Sequence, residues 1–87
     1  MSAVTVTLVH APACHFCADA RAVLDEFGRE YDLAVELLEL DSGAGQDLVA
    51  RHRPAMFPLV LVDGAFFSAG RLPRGKLRAL LTTGVRS

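Results

Sequence analysis

The hydrophobic positions of this chain change period several times, and each change marks a predicted element. Val4-Thr5-Val6-Thr7-Leu8-Val9 is a β-branched, apolar run with period two, which predicts a first strand. His10-Ala11-Pro12-Ala13 breaks that run as a loop. From Ala18 to Phe27 the apolar residues Ala20, Val23, Leu24 and Phe27 fall at helical spacing, and Gly28 supplies a stop signal. Val35 to Leu40 predicts a second strand. A strand, helix and strand this close in sequence imply a right-handed crossover with parallel pairing. Asp41 or Ser42 can cap a second helix running to about His52, with Gly43 and Gly45 weakening its start.

Leu59-Val60-Leu61-Val62 is a continuous apolar run, as expected of a strand covered on both faces. Asp63-Gly64 is a strong hairpin signal leading into Ala65-Phe66-Phe67-Ser68, so the last two strands should be antiparallel. A final helix from about Pro73 to Leu81 would bury Leu77, Leu80 and Leu81, with Gly84 beyond its end. The predicted order is βαβαββα, an α/β chain with a four-stranded mixed sheet flanked by three helices.

With 87 residues, 52% of them hydrophobic, the chain can fill one core and not two, which predicts a single domain spanning residues 1–87. A formal charge of −1 provides no footprint for nucleic acid, and no apolar run reaches the roughly 20 residues that span a bilayer. The start Met1-Ser2-Ala3-Val4 lacks the basic stretch of a secretory signal, so a cytoplasmic location is expected. In that compartment two cysteines spaced as Cys14-His15-Phe16-Cys17 point to redox chemistry or metal binding rather than to a structural staple.

The placement of the pair favours redox chemistry. Residues three apart in a first helical turn lie on one face, so their sulfurs can close a small ring. Unpaired N–H groups and the positive helix end there favour a thiolate on Cys14, the expected nucleophile. Cys17, one turn inside, is the expected resolving thiol. An imidazolium at His15 would favour the thiolate, although a turn residue can equally point away. Phe16 reads as an exposed aromatic that shields a disulfide or packs on the loop.

This order, with CxxC opening the first helix and Phe57-Pro58 just before the third strand, resembles the glutaredoxins and the small glutaredoxin-like members of the thioredoxin superfamily, over nearly the whole chain. The resemblance implies a thioredoxin-like fold and a dithiol oxidoreductase that reduces protein or low-molecular-weight disulfides in redox homeostasis and electron transport. It implies a cis Pro58 facing the cysteines, with the backbone of Met56 and Phe57 pairing with substrate. It also implies no tightly bound cofactor, electrons from glutathione, another thiol or a reductase, and a monomer that binds neither nucleic acid nor membrane. Two family features are absent. A lysine ahead of the first cysteine and a Gly-Gly-x-Asp motif after the fourth strand are replaced by His10-Ala11-Pro12-Ala13 and Ala69-Gly70-Arg71-Leu72. Glutathione thus loses two contacts, with Arg51 or Arg53 as candidate substitutes. The segment Ser68-Ala69-Gly70-Arg71-Leu72-Pro73 is closer to the Ser-Gly-x-x-Pro turn of redoxins served by thioredoxin reductase, which puts Gly70 and Arg71 among the substrate-binding candidates.

Competing readings of the same residues are a zinc site in which His10 and His52 join the two thiolates, a subunit-bridging iron–sulfur cluster, and a redox-inert adaptor. The basic set Arg71, Arg74, Lys76 and Arg78 is either a solvated helix face or a docking patch for an acidic partner.

Overall fold

The computed structural model describes residues 4–83. The chain runs β1 (Val4–His10), α1 (His15–Glu30), β2 (Leu33–Glu39), α2 (Gly43–His52), β3 (Leu59–Val62), β4 (Ala65–Ala69) and α3 (Arg74–Thr83). The four strands form one sheet in the order β2-β1-β3-β4. β1 and β2 are parallel, while β1 with β3 and β3 with β4 are antiparallel. This is the mixed sheet that the sequence pattern predicts.

The apolar pattern divides between two faces of the sheet. Val4, Val6, Leu8 and Val60 pack with Ala20, Val23, Leu24 and Phe27 of α1, together with Phe67, Leu72 and Leu77. On the other face Val9, Leu59 and Leu61 form a smaller cluster beneath Leu48 and Val49 of α2 and against Phe57. β3 is buried on both sides because it contributes to both clusters. Each of these large side chains contributes roughly 1.5–3 kcal/mol by leaving water.

Several boundaries differ from expectation for local reasons. Gly28 does not end α1: it is exposed, and the helix continues to Glu30, where the Tyr31 N–H closes the last turn on the Phe27 carbonyl at 2.8 Å. Tyr31 also sets its ring 6.1 Å from that of Phe27, an apolar contact that extends the helix past the glycine. α3 begins at Arg74 rather than Pro73, whose carbonyl accepts from the Leu77 N–H at 3.0 Å. Gly84, the expected stop of α3, lies outside the described residues.

Asp63 and Gly64 both take positive φ, 50° and 85°, as a two-residue hairpin of this twist requires. Asp63 also clamps β1: its N–H donates to the Thr5 carbonyl at 2.7 Å and its Oδ1 accepts from the Thr5 N–H at 3.0 Å.

The basic set of α3 is largely engaged within the fold. Arg74 donates to Glu26 at 2.6 Å and Arg78 to Glu30 at 3.2 Å, both guanidinium groups lying over the Phe27 ring. Lys76 lies over the Phe67 ring. These contacts tie α3 to α1 and to the sheet, which accounts for three of the four residues without an outside partner. The ion pairs are exposed, so solvent screens them and each adds little to stability.

Ser42 is the cap of α2. Its hydroxyl donates to the Glu39 carbonyl at 2.7 Å and accepts from the Gly45 N–H at 3.0 Å. A Cβ at Gly45 would collide with the Glu39 carbonyl oxygen, so this glycine allows the close approach of helix and strand rather than weakening the helix. Gly43 faces open space. Gly45→Ala should therefore destabilise the protein by about 1–3 kcal/mol, whereas Gly43→Ala should be neutral or stabilise it by up to about 1 kcal/mol. Urea unfolding of the two variants checks the contrast.

Candidate active site

The site lies where β1 ends and α1 begins. Ala13 takes φ 53°, a left-handed turn uncommon for alanine, and Cys14 follows as the N-cap residue of α1 in extended conformation. The Cys14 sulfur accepts a hydrogen bond from the Cys17 N–H at 3.2 Å. One of the unpaired donors of the first helical turn is thus aimed at the sulfur itself. The Cys14 thiol in turn donates to the Phe57 carbonyl, with sulfur and oxygen 3.6 Å apart.

The two cysteines differ in burial. Both are free thiols; Cys14 is half-buried and Cys17 is 4% exposed. Burial, with a smaller contribution from the neighbouring Cys14, pushes the Cys17 thiol up from 9.0 to about 11. His15 and Phe16, between them, are exposed, Phe16 at 39%.

Pro58 is buried and joined to Phe57 by a cis peptide bond. Its carbonyl accepts from the Gly70 N–H at 3.0 Å. Gly70 takes φ 92°, and a Cβ there would stand 3.3 Å from the Met56 Cβ and 3.4 Å from its Sδ. Gly70 thus has a positional role: it lets the Met56–Pro58 segment lie close to the end of β4. Met56 itself is half exposed. The structure brings Cys14, Cys17, Phe57 and Pro58 into one locus, with Met56 and Gly70 on its flank. Arg71 is exposed and lines a groove with Asp19, Leu72, Pro73 and Arg74.

Arg51 is exposed in the last turn of α2, and Arg53 caps that helix with φ 48°. Among the described residues no group of three or more His, Cys, Asp or Glu side chains is arranged to hold a metal ion. His10 instead borders a pocket with Pro12, Glu39 and Asp41, and the ring of His52 lies 6.1 Å from that of Phe66. Sequence reasoning missed the Phe57 carbonyl as partner of the Cys14 thiol. A backbone oxygen has no residue-type signature, and only the Phe57-Pro58 pair ahead of a strand pointed to its neighbourhood.

A mixed four-stranded sheet with helices on both faces, and a CxxC pair opposite a cis-proline loop, defines the thioredoxin fold. A family model described as Glutaredoxin matches residues 4–67, and the chain belongs to that family. No curated protein matches the sequence significantly. Among solved structures, the chain is similar to an uncharacterised thioredoxin-like protein from Clostridium perfringens, at 14% identity and a TM-score of 0.74, covering 93% of this chain and 70% of that one. It is similar to a malarial protein at 15% identity and 0.72, covering 98% and 100%. It is also similar to a mutant thioredoxin from Halobacterium salinarum at 19% and 0.67, covering 97% and 76%. At these identities the structures support the fold alone. Among the described residues no helix is long and apolar enough to cross a membrane.

The unequal thiols give a direct expectation. Between about pH 7 and 9, iodoacetamide should label Cys14 and leave Cys17 unmodified in the folded protein, with Cys17 reacting only as the pH approaches 11. Peptide mapping by mass spectrometry reads this. The same shift affects stability. The unfolded chain loses the Cys17 proton near 9.0 and the folded chain only near 11, so this contribution is complete below pH 9.0 and is lost as the pH climbs towards 11.

Proposed function

We propose that this protein is a dithiol thiol–disulfide oxidoreductase that reduces protein or low-molecular-weight disulfides. The observation that carries the reading is the asymmetry of the pair: a half-buried Cys14 whose sulfur receives the Cys17 N–H, beside a buried Cys17 whose thiol is pushed up by burial.

The Cys14 thiolate attacks one sulfur of the substrate disulfide in line with its S–S bond. A Cys14–substrate mixed disulfide forms and the other substrate sulfur leaves as a thiolate. The Cys17 N–H donates to the Cys14 sulfur while it carries negative charge. Cys17 then loses its proton to solvent or to the departing thiolate and attacks the Cys14 sulfur. The second substrate thiolate leaves, and Cys14 and Cys17 close a disulfide. The substrate has gained two electrons and the protein has lost two. An external dithiol, or two monothiols, must reopen the ring. Burial pushes the Cys17 thiol up, which protects it from premature reaction with solvent oxidants.

Substrate would lie across Met56, Phe57 and Phe16: Met56 and Phe16 are exposed, and the Phe57 backbone carbonyl faces the Cys14 thiol. The electron donor is a thioredoxin-reductase type of enzyme or a small thiol such as glutathione, in a reducing compartment such as the cytoplasm. The arrangement at Ala69-Gly70-Arg71-Leu72, without the family's aspartate, favours a reductase over glutathione. Arg71 and Asp19, which line one groove, join Arg51 and Arg53 as the charged groups that glutathione could use in place of the missing contacts.

Insulin-disulfide turnover with thioredoxin reductase and NADPH, compared with glutathione and glutathione reductase, tests the reading. The expected result is turnover with the first system that exceeds the second and falls by about 1,000-fold or more in Cys14→Ser, which removes the nucleophile. No turnover with either donor would count against an oxidoreductase of this kind.

A further inference from the structure

The outer edge of β2 is open. Among the described residues β2 pairs only with β1, as the terminal strand of the sheet, and four of its seven residues in succession, Ala34 to Leu37, are exposed. Val35 and Leu37 are each 42% exposed and lie on the face that carries Val6 and Leu8, whose partners they are in the register. An edge strand that presents apolar side chains beside unpaired backbone groups is a template for another strand, and proteins ordinarily block such edges with lysine, proline or a bulge. The segment Asp32-Leu33-Ala34-Val35-Glu36-Leu37-Leu38-Glu39-Leu40-Asp41 has none of these protections. It carries four carboxylates and no Lys, Arg or His.

That charge pattern selects the occupant. In a two-fold antiparallel pairing centred on the strand, a second copy would set Glu36 against its own counterpart, and any self-pairing would join two wholly acidic segments, which is unfavourable. A segment alternating apolar residues with Lys or Arg suits the edge on both counts. Its apolar side chains would cover Val35 and Leu37, and its cations would face Glu36 on the opposite side of the ribbon. We propose that the free edge of β2 docks an extended segment of a partner protein in which apolar residues alternate with lysine or arginine, by adding a strand to the sheet.

The edge lies one strand away from the segment that carries the thiols. β2 runs parallel to β1, with Glu39 opposite His10 and the Leu40 N–H bonded to the His10 carbonyl at 2.9 Å, so its end reaches the loop that delivers Cys14. The proposal does not require the redox reading, and its test uses probes without cysteine.

The test is fluorescence anisotropy of the full chain with a labelled peptide alternating valine and lysine, against the same peptide with glutamate for lysine. Backbone amide shifts measured by NMR locate the site. The lysine peptide should bind at least about tenfold more tightly than the glutamate peptide and weaken as salt rises from about 20 to about 500 mM. Its shifts should centre on residues 33–39. Glu36→Lys and, separately, Val35→Lys should each weaken it about tenfold, with an unchanged circular-dichroism spectrum showing that each variant is folded; both positions are exposed. Equal binding of both peptides, shifts centred elsewhere, or sedimentation showing a dimer that Val35→Lys dissociates would overturn the proposal.

Discussion

The N–H of Cys17 donates to the sulfur of Cys14, and the proposed chemistry depends on that one contact. It makes a reactive atom the cap of a helix. Ordinarily the cap is a hydroxyl or carboxylate whose only task is to satisfy an unpaired donor. Here the acceptor is a thiol, and the donor belongs to the residue that would later attack it. The three-residue spacing of CxxC is therefore set by helix geometry as much as by the span of a disulfide.

Everything around the contact keeps it in place. α1 is held on the sheet by Ala20, Val23, Leu24 and Phe27, so its first turn cannot drift from the end of β1. Arg74 and Arg78 of α3 join α1 through Glu26, Glu30 and the face of Phe27. From the other side the Phe57 carbonyl meets the Cys14 thiol, and the Phe57–Pro58 segment is fixed by the Gly70 N–H and by the close fit of Gly70 under Met56. Residues from β1, α1, the α2–β3 loop and the end of β4 converge on two sulfurs. A sheet whose central strands are β1 and β3 makes this convergence possible, because the loop after β1 and the loop before β3 open at the same end of an antiparallel pair.

Much of this was legible in the chain. The apolar runs at residues 4–9 and 59–62, the helical spacing of Ala20, Val23, Leu24 and Phe27, and the Asp63-Gly64 turn are strong local signals, and each corresponds to an observed element. Residues that act through tertiary contact were less legible. Gly28 has the composition of a stop, yet Tyr31 closes the helix three residues later by packing on Phe27. Gly45 looked like a weakness in α2 until the approach of the Glu39 carbonyl gave its missing side chain a reason. The arginines of α3 read as free charge because their acidic partners lie 48 residues away in sequence. The Phe57 carbonyl had no signal of its own as a partner of the Cys14 thiol, only the Phe57-Pro58 pair beside it. The cysteines, by contrast, were fully legible as a pair, since their spacing and their place at a strand-to-helix junction are local facts; their difference in burial required the fold.

The central claim is that the two thiols have separate tasks, Cys14 meeting the substrate and Cys17 releasing it. Trapping tests this most directly. A protein disulfide is mixed with Cys17→Ser and with Cys14→Ser, and the products are mapped by mass spectrometry. The account predicts a stable mixed disulfide through Cys14 in the first variant and little or none through Cys17 in the second, because Cys17 is buried and keeps its proton. Equal trapping through either cysteine would contradict it.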